Sequence, residues 1–164
     1  MPITSDIFKK YLSDTFVETG SLTGGGVEAA LKAGFTTLYS IELSDKYWRI
    51  CHDKFSCNNN ITIVKGDSGI ILYDVIKDIN TRITFWLDGH DSGGDTARGI
   101  DGSPIMYELN FIKKHHIKDH IILVDDMRGF NDKVIRDKIL EINNEYKFYY
   151  EEGHIPNDIL VAKI

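Results

Sequence analysis

The chain has 164 residues and a net charge of -6, with 42% hydrophobic and 27% charged side chains. That length suits one domain with a sizeable core. The acid excess disfavours nucleic acid as the main partner, because phosphate-backbone binding draws its affinity from Lys and Arg. No apolar run reaches signal-peptide or transmembrane length. Cys51 and Cys57 lie six apart, which is neither a CxxC spacing nor a disulfide framework, so the expected setting is reducing and cytoplasmic.

Strand-like and helix-like segments alternate along the chain. "TFVETG" (15–20) is a short apolar run ending in Gly, and "GGVEAALKAG" (25–34) reads as a helix stopped by Gly34. "TTLYSIEL" (36–43) is β-branched and aromatic. "SDKYWRICHDKF" (44–55) follows with Ser44 as N-cap and an apolar face of Tyr47, Trp48, Cys51 and Phe55. "ITIVKGD" (61–67) is a strand and turn, "GIILYDVIKDI" (69–79) a helix, and "ITFWLD" (83–88) a strand. "PIMYELNFIKKHH" (104–116) is a helix with Pro at its start, "HIILVDD" (120–126) a strand, and "NDKVIRDKILEIN" (131–143) a helix. "YKFYYEE" (146–152) and "DILVAKI" (158–164) close the chain as two strands.

Five strand–helix units predict a parallel sheet with helices on both faces, a three-layer α/β/α domain spanning the whole chain. The last two strands are joined by too few residues for a right-handed crossover, so they should pair antiparallel. In such folds ligands bind beyond the carboxyl ends of the strands. Those ends all carry acid: Glu18, Glu42, Asp67, Asp88 before Gly89 and His90, and Asp125 with Asp126. Each alone reads as a turn residue. Together they crowd carboxylates around one crevice, which repel unless a cation or hydrogen-bond donors face them.

The segment between the first strand and the first helix holds Gly20, Gly24, Gly25 and Gly26. It has neither the dinucleotide-binding GxGxxG spacing nor the Lys and Ser/Thr of a P-loop. A polyphosphate would sit badly beside Glu18, whereas a sulfonium ligand bearing an amino group and a carboxylate would sit well. The Gly-rich turn and the helix N-terminus would take the carboxylate. Glu42 lies about twenty residues beyond that turn, the separation expected of an acid that accepts from two ribose hydroxyls. Asp67 suits an adenine amino group with Ser68 beside it, and equally suits the N-cap of the next helix.

At these residues the sequence resembles the class I S-adenosylmethionine-dependent methyltransferases. The motifs are "FVETG", "YSIELS", "VKGDS" and "FWLDGH", with "ILVDD" and "IPNDILVAKI" further on. The resemblance implies a Rossmann-like doubly wound sheet of seven strands, order 3-2-1-4-5-7-6, with the last strand reversed. It implies Glu18 and Gly20 near the methionine part of the cofactor, with Ser21 to Gly26 around it, Ser21 and Gly24 among them. It also implies Glu42 on the ribose, Asp67 with Ser68 on the adenine, and Asp88 at the reacting end. The strand 4 and strand 5 motifs look similar to those of metal-dependent sugar O-methyltransferases, which carry Asp-Gly-Asp and Asp-Asp there. By position, Asp88, Asp125 and Asp126 would hold Mg²⁺ or another divalent cation, and His90 would replace the general base. His90 is also open to reading as a softer-metal ligand or a loop residue.

"HDSGGDTARGIDGSP" (90–104) is long and glycine-rich, the kind of connection that often binds substrate. Arg98 within it and Arg128 after the acidic pair are candidates for an acidic substrate group, against a reading as solvated surface. His115, His116 and His120 straddle a helix end and a strand start, where surface cations favour the helix C-terminus. The expected function is methylation of a small acceptor, a sugar or sugar nucleotide. The acceptor would be held by this loop, the N-terminal helix or a second subunit of a homodimer or higher homo-oligomer. The alternatives are a metal-independent small-molecule methyltransferase and a non-catalytic cofactor-binding protein.

Overall fold

The computed structural model describes residues 4–89 and 103–164. A short helix α1 (Ser5–Lys9) precedes the alternating units β1 (Thr15–Thr19), α2 (Gly25–Ala33), β2 (Thr37–Glu42), α3 (Asp45–Phe55), β3 (Ile61–Lys65) and α4 (Ser68–Ile76). The second half runs β4 (Ile83–Leu87), α5 (Ile105–Lys114), β5 (Ile121–Val124), α6 (Asp132–Leu140), β6 (Lys147–Glu151) and β7 (Ile159–Lys163). The seven strands form one sheet in the order β3-β2-β1-β4-β5-β7-β6. β7 pairs antiparallel with β5 and β6, and the neighbouring pairs from β3 to β5 are parallel. The expected architecture and strand order are both present. None of the described helices is long and apolar enough to cross a membrane.

Burial along the strands follows their place in the sheet. β1, β4 and β5 are buried at every residue, whereas the edge strands β3 and β6 are half open. Central strands covered on both faces read as continuous apolar runs, and alternate side chains then serve two separate cores. Val17, Phe85, Leu87, Ile122 and Val124 pack under α4, α5 and α6. Phe16, Trp86, Ile121 and Leu123 pack on the other face with Phe8, Val27, Ala30 and Phe55. Phe8 meets the Trp86 ring edge-on at 5.5 Å between centroids, which ties α1 to the middle of the sheet.

Helix ends agree with the sequence signals within a few residues. Gly34 stops α2 at φ 112, its N–H reaching Ala30 and Leu31 carbonyls. Asp67 caps α4 by accepting from the Gly69 N–H at 2.9 Å, and Asn131 caps α6 through the Val134 N–H. Pro104 stands at the N-cap of α5 rather than within its first turn. α4 ends at Ile76 and α6 at Leu140, each three residues short of the expected end.

The histidine cluster corrects an expectation. His116 is exposed, but His115 and His120 are buried at 1% and 0% exposure, so the surface reading fails for both. The Ile83 N–H donates to His120 Nδ1 at 3.1 Å, which places the His120 proton on Nε2. That proton goes to His115 Nδ1 at 2.9 Å, and His115 Nε2–H then donates to the Ile76 carbonyl at 3.0 Å. The chain of bonds links β4, β5 and α4 at the edge opposite the acidic strand ends. It requires two neutral rings, and burial pushes the His120 pKa down to about 3 and lowers that of His115.

Nitrogen NMR should therefore find the His120 ring neutral throughout pH 5 to 8. A midpoint near the ordinary imidazole value would contradict this tautomer assignment. A histidine with a depressed folded pKa contributes stability above its unfolded value near 6.5 and loses it as pH falls toward the folded value. His120→Ala should cost about 1–3 kcal/mol in urea unfolding at pH 7, because the Ile83 N–H is left buried without a partner.

Candidate functional site

Backbone ladders align the strand ends. The Gly20 N–H donates to the Ile41 carbonyl at 2.9 Å, Gly66 to Glu42 at 3.0 Å, Asp88 to Thr19 at 3.2 Å, and Asp125 to Leu87 at 3.1 Å. Each bond continues the parallel pairing one residue past its strand. The first polar residue after each strand thus arrives at one edge. Glu18 and Glu42 lie within the last two residues of their strands, and Asp88, Asp125 and Asp126 follow theirs.

Glu18 is 1% exposed, on the face of β1 toward α2. The Ser40 hydroxyl donates to its Oε2, and Ser21 Oγ lies 2.5 Å from Ser40 Oγ. Burial raises the Glu18 pKa to about 8; the Ser40 bond opposes the rise and Glu42 adds to it. A Cβ on Gly26 would stand 1.8 Å from Glu18 Oε1, so any larger residue there would displace this carboxylate. Gly20 sits at φ +84, and a Cβ there would stand 2.4 Å from the Asp88 carbonyl oxygen. β1 and β4 therefore meet across bare backbone.

Two of the expected cofactor contacts face inward. Ser21 is 2% exposed and spends its hydroxyl on Ser40. Gly24 is buried at φ +83, with the Phe55 ring 2.7 Å from where its Cβ would be. Both shape the turn. Glu42 accepts from the Leu22 N–H at 2.8 Å and from the Ser44 N–H at 2.7 Å, one on each oxygen. These bonds hold Leu22 at φ 47 and leave each carboxylate oxygen a further lone pair. Asp67 caps α4 through Oδ1, with Ser68 buried beside it.

At the other end of the crevice Asp88, Asp125 and Asp126 each offer one carboxylate oxygen, all within 4.8 Å of one another. Burial, then Asp125, Glu18, Asp126 and Glu108, raise the Asp88 pKa to about 9. Burial also raises that of Asp125. Asp126 adopts φ 53. Arg128 Nη1 forms ion pairs with both Asp126 and Asp158, and the Arg128 N–H donates to Asp158 Oδ1 at 3.2 Å. Arg128 is therefore a partner of the acidic cluster as well as a half-exposed side chain. His90 and Arg98 lie outside the described residues.

The sequence reading missed Ser40, Thr19, Asp158 and Glu108. Glu108 left a signal: Ile105, Glu108, Leu109 and Ile112 follow the i, i+3, i+4, i+7 spacing of one helix face. The helix turns that face inward and buries Glu108 at 1% exposure. Burial raises its pKa to about 7, against hydrogen bonds from Ser68 and Thr19.

An acid whose pKa folding raises holds its proton more tightly in the folded chain. Its folded state is favoured at low pH, and that advantage fades as pH climbs from the unfolded value toward the folded one. Asp88→Asn should therefore raise the melting temperature at pH 8 in metal-free buffer and change it little at pH 4. Equal shifts at both pH values would contradict the raised pKa.

No family model matches the sequence, and no curated protein does. Solved structures do. The S-adenosylhomocysteine-bound methyltransferase PaMTH1 of Podospora anserina is 12% identical, with a TM-score of 0.64 over 97% of this chain and 75% of that one. An O-methyltransferase of Bacillus cereus in complex with S-adenosylhomocysteine is 11% identical, with a TM-score of 0.64 over 96% of this chain and 76% of that one. A Streptococcus mutans protein crystallised with the same ligand is 13% identical, with a TM-score of 0.58 over 98% and 95%. At these identities the likeness establishes a shared Rossmann-like methyltransferase fold.

Proposed function

We propose that the chain is an S-adenosylmethionine-dependent methyltransferase that O-methylates a small molecule, a sugar or sugar nucleotide, with a divalent cation at Asp88, Asp125 and Asp126. The observation carrying this reading is the convergence of those three carboxylates, within 4.8 Å, on the same edge as Glu18, Gly20 and Glu42. The structural neighbours with S-adenosylhomocysteine bound support the cofactor.

The residues present fit both groups. The crevice is ringed by acid, which suits a ligand carrying ammonium and sulfonium charge. Gly20 and Gly26 keep side chains off its floor. Glu42 has the remaining lone pairs for two hydroxyls, and Ser68 with Asp67 stands at the next strand end, which the resemblance assigns to the adenine. Bound S-adenosylmethionine supplies an electrophilic methyl group. A divalent cation held by three hard oxygen donors supplies charge that acidifies an acceptor hydroxyl. The chain's own part is to orient the two reactants and to take a proton, the role assigned to His90 from its place two residues after Asp88.

One observation favours a second reading, methyl transfer without metal: Arg128 already balances part of the charge on Asp126. Calorimetry and a chelator separate the possibilities. S-adenosylmethionine should bind and NAD should not; failure of the former removes the methyltransferase reading. Asp125→Ala and Asp126→Ala should each lower Mg²⁺-dependent turnover at least about a hundredfold while cofactor affinity stays within about threefold. Undiminished turnover in chelator would favour the metal-free reading.

A further inference from the structure

Glu108 has no part in the chemistry above, yet it lies beneath the crevice. It comes from the first turn of α5, and residues of β1, α4 and the β4 terminus surround it. A Cβ on Gly89 would stand 3.1 Å from Glu108 Oε1 and 3.2 Å from both Ser68 Oγ and Pro104 Cγ. The Asp88 N–H is shared between the Thr19 carbonyl and Thr19 Oγ1, each at 3.2 Å. The Thr19 and Ser68 hydroxyls both act on the Glu108 carboxyl and oppose the rise of its pKa. This arrangement allows a relay from the Asp88 peptide through Thr19 to Glu108.

The remaining oxygen, Oε1, is buried and has no hydrogen-bond partner among the described residues, and neither has Ser103 Oγ. Both residues line a cavity of about 10 Å³ with Leu87, Gly89 and Phe130. A space of that size, flanked by two polar groups, suits one water molecule. Stability does not account for a carboxyl here. A buried carboxylate with an unmatched oxygen destabilises the fold, and an apolar side chain of similar size would remove that cost. Buried polar groups of this kind are characteristic of functional sites.

We propose that Glu108 is a positioning residue for the Asp88 end of β4. It fixes the Thr19 hydroxyl that shares the Asp88 N–H with the sheet ladder, and through one bridging water it ties Ser103, at the start of α5, to the same point. The proposal rests on the reading of Asp88 as part of the cofactor and cation site.

The test compares wild type, Glu108→Leu and Glu108→Gln by melting temperature, by amide hydrogen exchange at Asp88 and by calorimetry with S-adenosylhomocysteine. Glu108→Leu should keep or raise the melting temperature, speed exchange at Asp88 about tenfold and weaken ligand binding about tenfold. Glu108→Gln keeps an acceptor oxygen and should restore both to within about threefold of wild type. Wild-type exchange and affinity in Glu108→Leu would overturn the proposal. If that chain does not fold, Thr19→Val cuts the same relay, and unchanged Asp88 exchange there would overturn it equally. A wild-type protein that binds no S-adenosylhomocysteine would remove the functional reading, while the exchange comparison still decides whether Glu108 positions Asp88.

Discussion

The constraint on which this molecule turns is the burial of several carboxyl groups side by side at one edge of a parallel sheet. Glu18, Glu42, Asp88, Asp125 and Asp126 arrive there because the ladders of β1, β2, β4 and β5 end in register. Burial opposes their ionisation most and neighbouring acids add to it, and the raised pKa values of Glu18 and Asp88 are the consequence. The chain relieves the repulsion locally in three ways. Ser40 donates to Glu18, two backbone amides donate to Glu42, and Arg128 pairs with Asp126. Asp88, whose pKa is raised to about 9, joins the cofactor side of this edge to Asp125 and Asp126.

Such an edge needs a rigid foundation. β1, β4 and β5 carry apolar side chains into two cores, so the strand ends are fixed from both faces. At the opposite edge the buried His120–His115 relay holds the start of β4 to α4. The β6–β7 hairpin contributes too. Asp158 accepts from the Arg128 N–H, and its carbonyl accepts from the Met127 N–H at 2.9 Å, which anchors the turn that presents Asp126. Rigid strands with polar groups on the connections between them are a common way for a scaffold to present chemistry.

Much of this was legible in the sequence. Strand and helix periodicity, the acid at each strand end and the short link before β7 led to a parallel sheet with an antiparallel last pair and to the edge that carries the site; the strand order came from the resemblance to class I methyltransferases. The limits were physical. Ser21 and Gly24 lie in a motif that suggests ligand contact, but whether a side chain faces the crevice or the interior depends on the path of the turn, here set by Glu42 and Phe55. His115 and His120 looked like polar surface because polarity alone does not reveal that two rings can satisfy each other in a core. Glu108 was overlooked although its helical spacing put it on the apolar face. Asp158 gave no local sign, since its partner Arg128 is thirty residues away.

The central claim is that this acidic edge holds S-adenosylmethionine beside a divalent cation. A crystal grown with S-adenosylhomocysteine and Mn²⁺ tests it most directly, because Mn²⁺ is located by its anomalous scattering. The account predicts the ribose at Glu42, the amino group near Glu18, and one Mn²⁺ peak bounded by Asp88, Asp125 and Asp126. Ligand at Glu42 with no Mn²⁺ at the three carboxylates would contradict the cation. Absence of both from this edge would contradict the account as a whole.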